Sequence, residues 1–338
     1  MIDDNQVMGA GVGVLGQVQR ERPGILDYVA IARPDHWTKH VFIIPGLVLA
    51  YVLRGVLPAN LPLLLTLGFI SAAAIASANY VINEWLDRAF DQFHPTKSKR
   101  TAVHKSLSQP LVYLEYAVLL MVGLATAALV SDLFLLTSVA FAISGVVYNL
   151  RPLRSKDRAF VDVLTESINN PIRLMLGWAI IDPMTLPPSS LLLAYWMGGA
   201  FLMGSKRLSE YRDIAGAKGG AQGKELLAAY RRSFRTYTEE SLLISSFLYA
   251  LLSSFFIAVF LVKYRIEYIL ALPAFAVLFA VYLSLSLKRD SVAQRPEKLF
   301  SEGMLMTTVG VTVALLIVLT FVPVPGLEQF SVPHFITF

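Results

Sequence analysis

Residues 62–83, PLLLTLGFISAAAIASANYVIN, run directly into residues 84–91, EWLDRAFD. The first stretch carries no charged side chain, and about 20 such residues in a helix cross the roughly 30 Å of hydrocarbon in a bilayer. The second stretch places Asn83, Asp87 and Asp91 at i, i+4 and i+8, with Glu84 three residues before Asp87. On a helix these four share a face, because residues three and four apart are surface neighbours. One helix therefore carries a membrane span straight into an acidic cluster.

The rest of the chain repeats the apolar theme. Apolar stretches at 37–53, 62–83, 111–131, 133–150, 160–181, 189–205, 239–262, 267–286 and 303–322 predict nine spans, the first and sixth of them short. The expected fold is an all-α, polytopic membrane protein with nine transmembrane helices. Of the 338 residues, 55% are hydrophobic and only 16% charged, whereas soluble domains carry about 25% charged residues. That composition excludes a soluble domain, a disordered chain and a nucleic-acid-binding module. The net charge of +5 does not reopen the last reading, since basic residues in a membrane protein first serve orientation. The absence of cysteine excludes disulfides, thiolate catalysis and Cys-ligated metals.

Orientation follows from the basic residues. With the N-terminus inside, 25 of the 29 Lys and Arg fall on inside segments. Only Arg54, Lys263 and Arg265 fall outside, and Arg173 lies within a span. This is the positive-inside distribution, counted over short loops. Residues 1–30 show no basic segment followed by an apolar run, so no signal peptide is expected. They read as a loose cytosolic tail, and 31–338 as a single transmembrane catalytic domain. The long loops, 84–110 and 206–238, lie on the inside face.

Three clusters carry possible chemistry. Carboxylates stacked as closely as Glu84, Asp87 and Asp91 repel unless a cation lies between them. Mg²⁺ typically takes one or two carboxylates together with substrate phosphates. The alternative is a solvated helix end whose acids pair with Arg88 and Lys97. Next come His94-Pro95-Thr96-Lys97-Ser98-Lys99-Arg100, a helix-ending proline followed by cations suited to anionic oxygens. In the fifth span, Asp162, Glu166, Asn169, Asn170 and Arg173 fall on one helical stripe. Ionisable groups in a bilayer are costly and should face a cavity or pair, as in a Glu166–Arg173 ion pair. Loop 206–238 adds Lys206, Arg207, Glu210, Arg212, Asp213, Arg231, Arg232, Arg235 and Tyr237, a possible second wall of the same site. Two glycine patterns are set aside. Gly11–Gly16 matches GxGxxG without a preceding strand, and 219–224 lacks the first Gly and the Ser/Thr of a phosphate loop. His36 and His40 are the only His pair at helical spacing and make no zinc site.

These residues resemble the UbiA superfamily of intramembrane transferases, a nine-helix bundle with an NDxxDxxxD-type motif at the inner end of its second helix. Asn83, Glu84, Asp87 and Asp91 match it, with Glu where Asp is usual. Within the superfamily the sequence is similar to the polyprenyl-phosphate phosphoribosyltransferases. Their HPxKxxRP motif corresponds to 94–101, with Thr101 for Pro. Their RPxxWxKN motif corresponds to Arg33–His40, with His40 for Asn and Lys39 retained. Lys156, Asp162 and Arg173 match a further pattern, and Lys206, Arg207 and Glu210 match KRxxE. The resemblance implies transfer of 5-phosphoribosyl from phosphoribosyl pyrophosphate to a polyprenyl phosphate at the inner face of a bacterial cytoplasmic membrane, supplying a cell-envelope glycan. Asn83, Glu84, Asp87 and Asp91 would hold Mg²⁺ on the diphosphate. Lys97, Lys99, Arg100, Lys206 and Arg207 would meet phosphate oxygens. Lys39, Lys156, Asp162, Arg173 and Glu210 would shape the substrate pockets.

Aromatic prenyltransferases of the superfamily carry a second DxxxD between helices six and seven, where this chain has the net positive Lys206–Glu210. A prenyltransferase joining a prenyl diphosphate to an aromatic acceptor is therefore the second reading. A transporter is the third, since no inverted repeat is evident. The topology is directly testable because the chain has no cysteine. Single cysteines at 100 and 220 should react only with reagents that reach the cytosol, and one at 265 only from outside. Labelling of 100 or 220 from outside would overturn the orientation.

Overall fold

The structure, a computed structural model, describes residues 21–94, 96–218, 220–288, 291–294 and 296–327. Residues 1–20 of the expected tail, including the Gly11–Gly16 pattern, lie outside the described residues. So do Pro95, Gly219 and 328–338. Among the described residues all regular structure is helical, apart from one bridge between Glu21 and Lys105.

The helices are α1 (Ile25–Ile31), α2 (Ile44–Arg54), α3 (Leu61–Asp91), α4 (Thr101–His104), α5 (Gln109–Ala128), α6 (Asp132–Asn149), α7 (Val161–Ser167), α8 (Asn169–Ile181), α9 (Ser189–Lys218), α10 (Gly220–Tyr230), α11 (Glu239–Tyr264), α12 (Leu272–Ser286) and α13 (Gly303–Phe321). A 3-10 segment, Pro34–Ile43, joins α1 to α2. Among the described residues, seven helical stretches are long and apolar enough to cross a membrane: Ile25–Arg54, Leu61–Asp91, Gln109–Ala128, Asp132–Asn149, Glu239–Tyr264, Ile266–Ser286 and Gly303–Phe321. The expected count of nine is thus not reproduced. The stretch 160–181 is divided at Ile168 into α7 and α8, because Pro171 has no N–H to donate back to residue 167. The stretch 189–205 is the apolar half of α9, whose other half carries Lys206, Arg207, Glu210, Arg212 and Asp213.

The loose tail is corrected at its end. Residues 25–31 form a helix because Tyr28 and Ile31 give it one apolar face, which packs with Val81, Trp85 and Ala102. Helix α3 is the axis of the fold. Pro62 in its first turn is pre-set for a helix start. Its 31 residues make it about 46 Å long, well beyond the roughly 30 Å of hydrocarbon, so its last turns carry Asn83–Asp91 past the apolar layer.

Lipid tails are as apolar as Leu, so helices in a bilayer associate by close packing and hydrogen bonds. Ala72, Ala73, Ala74, Ala76 and Ala78 make α3 narrow and are all buried. Ser71 Oγ donates to Gly123 O of α5 at 2.8 Å, and Asn79 Nδ2 donates to Phe141 O of α6 at 3.1 Å. Helices α2 and α8 cross at two glycines. A Cβ on Gly46 would lie 2.0 Å from Leu174 O, and one on Gly177 would lie 2.1 Å from Ile43 O. Both obstacles are backbone, which cannot rotate away. Gly46→Val and Gly177→Val should therefore destabilise the bundle by about 3 kcal/mol or more, read as a lower thermal aggregation midpoint in detergent. Gly310→Ala, with nothing within 4 Å of the new Cβ, should leave that midpoint unchanged or raise it.

Candidate active site at the charged end of the bundle

The last turns of α3 open onto a cleft enclosing about 590 Å³ including its mouth, lined by α3, the end of α6, the 150–160 loop, α9 and residues 230–231. Asn83, Asp87 and Asp91 line it, as their helical spacing predicts. Asn83 Nδ2 donates to Asn149 Oδ1 at 2.5 Å, and Lys156 Nζ donates to the same oxygen at 2.7 Å. Asp87 Oδ1 receives Lys156 Nζ at 2.6 Å and Arg154 Nη2 at 2.9 Å. Asp91 Oδ2 receives Arg100 Nη1 at 2.5 Å. Burial pushes the Lys156 ammonium down to about 8, against the opposing pull of Asp87. Lys97 is pushed down to about 7 by the same cause, opposed by Glu210, whose Oε1 lies 3.4 Å away.

His94 organises the loop that delivers these cations. Its Nδ1 accepts from Thr96 N and Lys97 N, each at 3.2 Å, so the ring proton sits on Nε2. Burial keeps the ring neutral by lowering its pKa to about 3. The ring packs edge-on to Tyr230, over whose face Lys97 Nζ lies at 4.3 Å.

The far wall is held by Arg207 of α9, which is 1% exposed. Its Nε donates to Asp162 at 3.3 Å, its Nη1 to Glu210 at 2.9 Å and its Nη2 to Glu166 at 2.6 Å. Asp162, fully buried, also accepts from Tyr237 at 2.6 Å, Ser233 at 3.1 Å and Arg231 at 3.3 Å. This network binds α7, α9 and the 231–237 segment together. Three described non-glycine residues have positive φ: Arg33 at 53°, Arg154 at 27° and Phe160 at 65°. Such conformations persist where surrounding contacts hold them. Arg154 is held by Asp87 and Asp157, Arg33 by Glu84, and Phe160 through its N–H to Tyr237.

Eight of the expected residues meet in the cleft: Asn83, Asp87, Asp91, Lys97, Arg100, Lys156, Lys206 and Arg207. Glu84 does not. Its Oε2 receives Arg33 Nε and Nη2 at 2.9 and 2.8 Å, and its Oε1 receives Ala102 N at 3.2 Å, which commits it to the α1–α4 side of α3. Lys99 is exposed and outside the cleft. Asp162 and Glu210 sit behind the wall, bound to arginines. Arg173 makes no pair with Glu166, because the break at Ile168 divides the stripe. It lies instead over Phe141 at 5.2 Å. Lys39 lies beside Tyr80. Arg207 reaches the cleft with its guanidinium already shared among three carboxylates, so it positions the wall rather than offering a free cation.

Tyr148, Arg154 and Asp157 also line the cleft and were not among the expected site residues, whereas Glu166, from the fifth-span stripe, and Arg231, from the expected second wall, line it too. Glu166 and Arg231 were visible in the clusters above. Arg154 and Asp157 lie in a loop that served only as an orientation charge count. Tyr148, one residue before Asn149, is a polar tip at the end of an apolar span.

A divalent ion fits this donor set in part. Arg154 and Lys156 occupy Oδ1 of Asp87, and Arg100 occupies Oδ2 of Asp91. The other oxygen of each faces no described partner. Among the described residues, no group of three or more His, Cys, Asp or Glu side chains could hold a metal on its own. Asp87 and Asp91 thus fit Mg²⁺ in the way Mg²⁺ usually binds, with substrate phosphates completing the coordination.

The chain matches the UbiA prenyltransferase family over residues 41–309 and belongs to that family of transferases. It is a multi-pass membrane protein. The fold is similar to that of a UbiA homologue from Archaeoglobus fulgidus solved with DMAPP and Mg²⁺, at TM-score 0.65 and 20% identity, covering 88% of this chain and all of the other. A UbiA homologue from Archaeoglobus fulgidus solved with GPP and Mg²⁺ is similar at TM-score 0.59 and 21% identity, covering 87% of this chain and 98% of the other. Among curated sequences, the uncharacterised protein y4nM of Sinorhizobium fredii is 26% identical over 174 residues, 52% of this chain. Nodulation protein NoeC of Azorhizobium caulinodans is 31% identical over 83 residues, 25% of this chain. The chain covers 33% and 26% of those two relatives' own lengths.

The Asp162 network separates positioning residues from those that face substrate. Asp162→Ala leaves Arg207 and Arg231 short of a buried counter-ion and should cost about 3–5 kcal/mol, seen as loss of monodisperse protein in detergent. Asp87→Asn keeps both the size and an acceptor oxygen for Lys156 and Arg154, and should purify like the wild type.

Proposed function

We propose that the protein transfers a 5-phosphoribosyl group from phosphoribosyl pyrophosphate to a polyprenyl phosphate, at the cytosolic face of a bacterial inner membrane. The observation that carries this reading is the charge of the cleft. Seven Lys and Arg line it against four Asp and Glu, and Glu210 and Asp162 behind the wall bring the acids that face these cations to six. Six of those cations are paired with carboxylates. Lys206 has no ion pair among the described residues. A diphosphate alone leaves that cation unanswered. A sugar donor with a further phosphate supplies the anion that charge-assisted recognition favours.

In this reading the diphosphate lies over Asp87 and Asp91, with Asn83 oriented beside them by Asn149. Bound Mg²⁺ would neutralise charge developing on the departing diphosphate. Lys97, Arg100, Arg154 and Lys156 hold phosphate oxygens, and Lys206 takes the remaining phosphate. The bond between C1 of the ribose and the diphosphate oxygen breaks, and its electron pair leaves with the diphosphate. A new C1–O bond forms to an oxygen of the acceptor phosphate, which is already anionic, so no base is required. Positioning and electrostatics supply the catalysis.

The second reading, prenyl transfer to an aromatic acceptor, is supported by the prenyl diphosphates held by the fold relatives. It calls for a second acidic motif near 206–213. The acids there are engaged elsewhere: Glu210 with Arg207 and Lys97, and Asp213 with Gln294 at 2.5 Å.

Membranes containing the protein should transfer label from phosphoribosyl pyrophosphate to a polyprenyl phosphate, and chelation of Mg²⁺ should stop it. Asp87→Asn should abolish turnover. Lys206→Gln should raise the donor KM by about tenfold or more while leaving acceptor KM nearly unchanged, since a charge-assisted hydrogen bond is worth about 1.5–3 kcal/mol. Turnover of a prenyl diphosphate onto an aromatic acid, with none from the sugar donor, would decide for the second reading.

A further inference from the structure

A second concavity lies beside the cleft, across the Arg154–Asp157 pair, since those two residues line both. It encloses about 840 Å³ including its mouth, and Arg151, Leu153, Arg158 and Arg232 also line it. Four arginines thus meet there with one carboxylate. That carboxylate, Asp157, is taken by Arg154 Nε at 3.0 Å, and Arg154 Nη2 turns away to Asp87 of the cleft. Arg158 and Arg232 are exposed, and among the described residues neither side chain has a hydrogen bond or a carboxylate within 4.0 Å. One precedes α7 and the other follows α10, so the fold brings them together and no local charge run does.

Both walls are fixed by the protein itself. Phe160 N donates to Tyr237 Oη at 2.6 Å, and Tyr237 Oη donates to Asp162 Oδ1 at 2.6 Å. Arg231 and Ser233, on either side of Arg232, both donate to Asp162. Ser155 Oγ lies 2.8 Å from Thr165 Oγ1 of α7. A site held in this way pays little ordering cost when a ligand arrives. Its place in the fold indicates what it meets. The 150–160 loop leaves the end of α6, which is apolar enough to cross a membrane, so the concavity sits where the apolar layer gives way to the charged end of the bundle. Leu153, in its lining, is 51% exposed, and Phe160 and Val161, where the loop enters α7, are exposed as well. A soluble anion would engage the arginines and leave these apolar groups in water. An amphiphile engages both, because guanidinium forks match phosphate oxygens and apolar side chains match the start of an acyl chain.

We propose that this concavity binds an anionic phospholipid, with Arg158 and Arg232 on its phosphate and Leu153 against its acyl region. Basic pockets at the polar ends of membrane helices suit such headgroups. The site is separate from those of the reactants, and it stands whichever donor the cleft takes.

Full-length protein in an uncharged detergent would be titrated with dioleoyl phosphatidylglycerol, dioleoyl phosphatidylcholine, inorganic diphosphate and undecaprenyl phosphate, with bound lipid counted by native mass spectrometry. The wild type should hold phosphatidylglycerol at least about tenfold more tightly than phosphatidylcholine, and less so as salt rises. A basic residue at an anionic lipid surface is worth about fivefold in affinity. Arg158→Gln and Arg232→Gln should therefore each cut the preference by about that factor, and the double variant should abolish it. Arg158→Lys should keep most of it. Both positions are exposed, so the variants should fold as the wild type does. Equal affinity for the two phospholipids in the wild type, or a preference unchanged in the double variant, would overturn the site. Inorganic diphosphate that displaces phosphatidylglycerol, with the same sensitivity to the variants, would make it a site for soluble phosphates. Undecaprenyl phosphate held there far more tightly than phosphatidylglycerol would make it part of the acceptor site. Either result would overturn the phospholipid assignment.

Discussion

Asp162 and Arg207 carry opposite charges with neither exposed to solvent, and much of the charged end of the bundle is arranged around that contact. Alone, the pair would not recover the desolvation of two ions. It is stable because every remaining valence is used. Arg207 spends its other nitrogens on Glu166 and Glu210, and Asp162 accepts from Ser233, Tyr237 and Arg231. The result joins α7, α9 and the 231–237 segment into one rigid wall, against which the acids of α3 can be held at a fixed distance.

That wall also explains how so many charges lie close together without disrupting the fold. The cations of the cleft are distributed against acids from other elements: Arg154 and Lys156 with Asp87, Arg100 with Asp91, and Lys97 with Glu210. Hydrogen-bonded charge networks of this kind are strong when complete and costly when any member is missing. The exception in the cleft is Lys206, which has no carboxylate within 4.0 Å among the described residues.

Below the charged end, the bundle depends on small residues. The alanines of α3 and the Gly46–Gly177 crossing let backbones approach to distances that side chains would prevent. This close packing fixes α3 relative to α5, α6 and α8, so the apolar half of the molecule sets the position of the acids at its end.

The one-dimensional pattern determined the helical class, the membrane setting and the acidic face of α3, because apolar run length and i, i+4 spacing are local properties of the chain. Asn83, Asp87, Asp91, Lys97, Arg100 and Lys156 line one cleft for the same reason, since all flank ends of apolar stretches. The pattern misplaced Glu84, whose partner Arg33 lies 51 residues away, and it joined Asp162 to Arg173 as one stripe across a helix break. Which cations remain unpaired was decided only by tertiary structure. Arg207 and Lys206 are neighbours of equal charge in the sequence, yet among the described residues one lies within 4.0 Å of three carboxylates and the other of none, because pairing depends on how α7 and α9 approach through space.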